Sequence, residues 1–101
     1  MALLGNPFIA NVQKQLSPDE LIQALRVDIT GEYEAIVGYE AHAQATQNAD
    51  AKKILFHIAD EERRHVGELQ QLLYRLCPKE QQFVEAGKSE LDKHLTQNPL
   101  Q

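Results

Sequence analysis

A carboxylate and an imidazole interrupt an otherwise apolar helical seam at Glu62-Arg63-Arg64-His65. At 3.6 residues per turn, side chains three positions apart stand one above the other on the same helix face, so Glu62 and His65 point at one locus. A carboxylate oxygen and a ring nitrogen aimed at one point can share a metal ion. Mostly oxygen donors with one nitrogen suit iron or manganese, and zinc can also bind such a set. The competing use of the pair is a buried hydrogen bond, which must offset the cost of taking charge out of water.

Counting through this segment in steps of four and three gives Ala51, Leu55, Ile58, Glu62, His65, Leu69, Leu72 and Leu76, a stripe of the kind a helix turns toward a bundle core. The same count upstream gives Ile22, Leu25, Ile29, Glu32, Ile36, Tyr39, Ala43 and Thr46, broken by the single carboxylate Glu32. Glu32 lies 16 residues before Asn48, and Glu62 and His65 lie 14 and 17 after it. With a turn at Asn48, an antiparallel helix pair would bring all three to one level. Asp60, Glu61, Arg63 and Arg64 fall off the stripe and read as a solvated face. Glu34, Glu40, His42, His57 and His94 read as surface by the same reasoning.

The elements that must position these groups read as all-α. Ser17-Pro18-Asp19-Glu20 is a strong helix start: Ser17 as N-cap, Pro18 at the first helical position and Glu20 closing a capping box. A first helix is expected over 18–46 and a second over 49–77, the latter capped by Asn48 and ended before Pro78. A weaker pattern predicts a short third helix over 79–95 that Gly87 could divide. Residues 1–16 read as an N-terminal arm and 96–101 as an irregular tail, within a single domain spanning 1–101. Gly31 and Gly38 inside the first helix cost about 1 kcal/mol each relative to Ala, which suggests close approach by another element.

The chain has 101 residues and a net charge of −5, with basic residues scattered rather than clustered, so nucleic acid and anionic membrane surfaces are not its expected partners. No apolar run approaches the roughly 18 to 20 residues that span a bilayer. The opening residues lack a signal-peptide pattern, and a cytoplasmic location is expected. Cys77 is the only cysteine, which excludes an intrachain disulfide and a cysteine-rich zinc site and reads as an inert thiol.

A lone hairpin cannot cover two seams, because ordering each residue costs about 1 to 2 kcal/mol of backbone entropy that only burial repays. An oligomer is therefore expected. Ferritin-like di-iron bundles take a Glu from each of two helices and a Glu-x-x-His from each of two others. This chain supplies one of each, and a two-fold axis would duplicate Glu32, Glu62 and His65 across a dimer interface. The four carboxylates of such a dimer balance two divalent ions.

In Glu32 followed by Tyr39, in Asp60-Glu61-Glu62-x-x-His65 and in the short third helix, residues 18–95 resemble the encapsulated ferritins. The resemblance implies an antiparallel hairpin plus a C-terminal helix that completes a ferritin-like four-helix bundle by dimerisation. It implies a ferroxidase that oxidises Fe(II) with O2 at a di-iron centre, two Fe per dimer, for iron storage. Glu62 would bridge both irons, while Glu32 and His65 each bind one. Tyr39 would act in the outer sphere and Glu34 on the ion-access route. The resemblance further implies a decameric ring of five dimers packaged as encapsulin cargo, inside a nanocompartment in the cytoplasm. Two departures stand out: Gly31 occupies a position where a second access carboxylate is found, and Leu95–Gln101 lacks an apolar and basic shell-targeting peptide. Two other readings fit the same residues, a rubrerythrin-like di-iron peroxidase and a non-enzymatic helical module held by a structural ion.

Overall fold

The computed structural model describes residues 14–97 as three helices, α1 (Pro18–Ala45), α2 (Ala49–Leu76) and α3 (Pro78–Gln97), with no strand among the described residues. Most of the expected arm and tail lies outside the described residues. At the start of α1, Ser17 Oγ accepts from the Glu20 amide at 3.1 Å and Glu20 Oε1 accepts from the Ser17 amide at 2.9 Å. Lys14 donates to the other Glu20 oxygen at 2.8 Å. That ammonium first, and the Ser17 amide second, hold the Glu20 carboxyl down at about 2.

The turn between α1 and α2 is closed from both sides. Asn48 Oδ1 accepts from the Ala51 amide at 2.9 Å, satisfying one open donor of α2. Lys52 Nζ donates to the Ala43 carbonyl at 2.7 Å, where the last turn of α1 lacks intrahelical partners. At the other end of α2 only Cys77 leaves helical geometry, at φ −142° and ψ 79°. Pro78 excludes the helical region for the residue before it, and its own fixed φ suits the first position of the next helix. So α3 begins at the proline, and it runs unbroken through Gly87 and Thr96 to Gln97.

Within the hairpin, Leu25, Ile36 and Ala43 of α1 are buried along with Ala59, Val66 and Leu73 of α2. Ala43, near the turn, and Ala59, three turns into α2, have no exposed surface, so small side chains line the α1–α2 contact at two levels. The α1 residues lie on the seam read from the sequence. Those of α2 do not. Their spacing of seven defines a stripe displaced to one side of the seam that carries Glu62 and His65, whose residues are half-buried or exposed.

The displaced seam is the edge a single hairpin leaves uncovered. Its Leu72 and Leu76 remain nearly half exposed, and none of the described side chains of α3 is buried, with Phe83 68% exposed. The radius of gyration is 17.5 Å, against about 13 Å for a compact domain of this length. The described helices are thus drawn out rather than packed into one compact core. No helix among the described residues is long and apolar enough to cross a membrane.

Candidate metal centre

Glu32 projects from the middle of α1, and Glu62 and His65 project from consecutive turns of α2. Because Asn48 reverses the chain between them, the three meet at one level. Glu32 Oε2 lies 3.3 Å from His65 Nδ1, and Glu62 Oε2 lies 3.4 Å from the same nitrogen. One donor atom from each residue falls within 4.8 Å of the other two. Bonds of about 2.0–2.2 Å from a common ion span up to about 4.4 Å, which covers the two separations from His65 Nδ1. Two carboxylates and an imidazole are the donors that iron, manganese or zinc accept.

Burial grades across the cluster. The side chains of Glu62 and Glu32 are 18% and 23% exposed, whereas that of His65 is 50% exposed. The carboxylates stand deeper in the groove and the imidazole at its open side, on the same face as the uncovered Leu72 and Leu76 two and three turns further on. His65 presents Nδ1 to the carboxylates, so a neutral ring carrying its proton on Nε2 would offer the lone pair where the cluster forms.

The other sequence candidates are not in the cluster. Tyr39 is half-buried seven residues beyond Glu32 and makes no hydrogen bond to the three. Glu34 sits two residues from Glu32, which is 200° around the helix and away from this locus. Sequence reasoning missed two cross-element clamps. Arg63, read as solvated, is held by Glu40 of α1 and by Asp60 at 3.0 Å. Glu40, its main partner, raises the pKa of the Arg63 guanidinium. Arg26 grips Glu80 of α3 through two bonds of 2.6 and 3.1 Å. The pairing lowers the pKa of the Glu80 carboxyl and raises that of the guanidinium. Also missed was Asp28, one turn before Glu32, which lines the same cleft as Glu32 and Glu62; the spacing of four was the available signal.

Residues 19–84 match the family described as ubiquinone biosynthesis protein COQ7, which is related to ferritin-like proteins. The chain is 43% identical over 75 residues to the encapsulin nanocompartment cargo protein EncC of Myxococcus xanthus, covering 74% of this chain and 58% of that protein. It is 37% identical over 91 residues to a ferritin-like–encapsulin shell fusion protein of Pyrococcus furiosus, covering 90% of this chain but 26% of the fusion. The crystal structure of the encapsulated ferritin domain from Pyrococcus furiosus superposes with a TM-score of 0.79 at 35% identity, over 90% of this chain and 93% of that domain. The chain thus spans under two thirds of each of these two full-length relatives and nearly all of the solved domain.

Proposed function

Since the chain belongs to the encapsulated ferritin family of ferritin-like proteins, we propose that it oxidises Fe(II) to Fe(III) with O2 at a di-iron centre shared by two copies, for iron storage. The observation that carries this reading is the convergence of Glu32, Glu62 and His65 in a groove whose apolar edge is uncovered. Three donors are too few for two metals. A second copy laid across the groove brings three more from the same patch, which restores the two Glu and two Glu-x-x-His donors of a ferritin-like bundle.

In this reading Glu62, the least exposed donor, bridges the two ferrous ions, and Glu32 and His65 complete one ion each. Four carboxylates balance the two divalent charges. Each Fe(II) gives up one electron, so the pair delivers two electrons to O2, which with two protons reaches the level of hydrogen peroxide. Ferric product carries more charge than the site balances, which favours its release to a mineral. Tyr39, two turns beyond Glu32 on the same seam, would act in the outer sphere. The dimers close into a ring of five, using the exposed apolar side of α3, and the ring is cargo of an encapsulin shell in the cytoplasm. Its relatives, an encapsulin cargo protein and a ferritin-like–encapsulin shell fusion, support that destination.

The test is anaerobic loading with Fe(II) followed by rapid mixing with O2 or with H2O2, monitoring ferric absorbance. Oxidation by O2 at two irons per dimer is expected. Rapid turnover of peroxide with little response to O2 would replace this reading with the peroxidase, and metal binding without oxidation above buffer would replace it with a structural ion.

A further inference from the structure

The hairpin carries its metal donors on one flank and a clamp on the other. Along α1, Glu32 lies four residues before the buried Ile36 and Glu40 four after it, so the two carboxylates stand roughly 40° to either side of the contact line. Along α2, Glu62 lies four residues before the buried Val66 and Arg63 four after the buried Ala59, which repeats the division. Glu32, Glu62 and His65 accordingly gather on the first flank. On the second, Arg63 meets Glu40, while its other terminal nitrogen donates to Asp60 at 3.0 Å. The tie is diagonal. Glu40 lies 8 residues before Asn48 and Arg63 lies 15 after it. That offset is about 10 Å along the helix axes, so the pair resists sliding of α2 along α1 as well as turning.

We propose that Arg63 and Glu40 are positioning residues of the metal centre, a lock that fixes the rotation of α2 so that Glu62 and His65 stay on the open edge at the level of Glu32. The helix has two adjacent apolar edges, and a turn of roughly 70° about its axis would exchange the one that meets α1. Such a turn carries a side-chain head, at a radius of about 5–6 Å, through about 6 Å. Arg63 then parts from Glu40, and Glu62 swings into the α1 contact and away from a second copy. With 49% of the Arg63 side chain and 32% of the Glu40 side chain exposed, the pair shifts the balance between two rotations by a few-fold rather than by orders of magnitude. Metal affinity falls by the same factor, because only the competent rotation binds. The inference rests on the metal-centre reading above and adds to it what holds the donors in register.

The sign of the effect separates positioning from simple electrostatics. Removing a cation beside a site for divalent metal strengthens binding by Coulomb's law, whereas releasing the lock weakens it. Co(II), titrated without O2 into the full-length chain, reports occupancy and ligand geometry through its visible absorbance. Arg63→Gln is expected to weaken Co(II) binding about three- to fivefold and to alter the shape of the band, with helical content unchanged by circular dichroism. Glu40→Gln is expected to do the same, and the double variant to lose no more than either single one. The exchanged pair, Glu40→Arg with Arg63→Glu, is expected to recover both affinity and band. Glu62→Ala, run in parallel, is expected to lose binding. Parental or tighter binding by Arg63→Gln, with Glu62→Ala unable to bind, overturns the lock and leaves the centre standing. Failure of the exchanged pair to recover binding overturns it as well, even where Arg63→Gln does not fold. Parental binding by Glu62→Ala overturns the centre, and the lock falls with it.

Discussion

Glu32 Oε2 and His65 Nδ1 stand 3.3 Å apart although 33 positions separate them in the chain. The approach depends on the turn at Asn48, whose side chain caps α2, and on the α1–α2 contact in which Ala43 and Ala59 are fully enclosed. The three side chains are thus carried on helices rather than loops, which would suit the proposed centre, since it must hold its geometry through loading and release.

Replacing a donor should remove chemistry without removing the fold. His65 is half exposed and packs little, so His65→Ala is expected to leave helical content unchanged by circular dichroism. Metal affinity should fall by more than the roughly 10–100-fold that outer-sphere partners are worth. Glu62→Ala, losing the bridging donor, is expected to abolish Fe(II) oxidation. Oxidation at the parental rate in both variants would remove these residues from the site.

The level of the donors was legible in the sequence because it needs only two helical periods and one turn. The same arithmetic identifies Glu32, Glu62 and His65 as a set and gives an all-α hairpin. What periodicity cannot supply is helix rotation about the contact. A helix with a stripe at Ile58, Glu62 and His65 and another at Ala59, Val66 and Leu73 has two adjacent apolar edges, and the sequence does not say which one meets α1. In the structure the second edge packs and the first stays open. The Arg63–Glu40 and Arg26–Glu80 pairs were invisible for the same reason, since each depends on how two elements are turned toward one another.

Enclosure along the α1–α2 contact limits what its small residues can be replaced by. Ala43 and Ala59 are fully enclosed, so Ala59→Leu must push the helices apart or adopt a strained rotamer. A loss of about 1–3 kcal/mol in unfolding free energy is expected, measured by urea denaturation. Ala59→Gly, which adds no volume, should lose only about 1 kcal/mol, from helix propensity.

Glu80 ties α3 to α1 across the elbow at Cys77, and the pair is partly exposed, with 41% of the Arg26 side chain and 24% of the Glu80 side chain accessible. Its worth should therefore lie under about 1 kcal/mol. Because pairing lowers the pKa of Glu80 below its ordinary value of 4.5, the contribution is present in full above that value. It is lost as pH falls through the lowered pKa of the folded state. Glu80→Gln is expected to raise hydrogen exchange within residues 78–97 at neutral pH while leaving α1 and α2 protected. Equal exchange in parent and variant would mean that the clamp does not hold α3.

The uncovered α2 edge sets the last expectation. Leu72 and Leu76 lie seven and eleven residues beyond His65, positions that return to the same helix face after two and three turns. These two apolar side chains, on one side of the half-exposed His65, form a patch that a second copy would cover together with the proposed centre. Leu72→Glu places charge in that patch and, within one protomer, disturbs little, since the residue is 44% exposed. The variant is expected to sediment as smaller species than the parent at equal concentration, and to bind less metal per chain, because each protomer alone holds only three donors. If it remained assembled and bound metal at the parental stoichiometry, the shared centre would have to form on a different face of the hairpin.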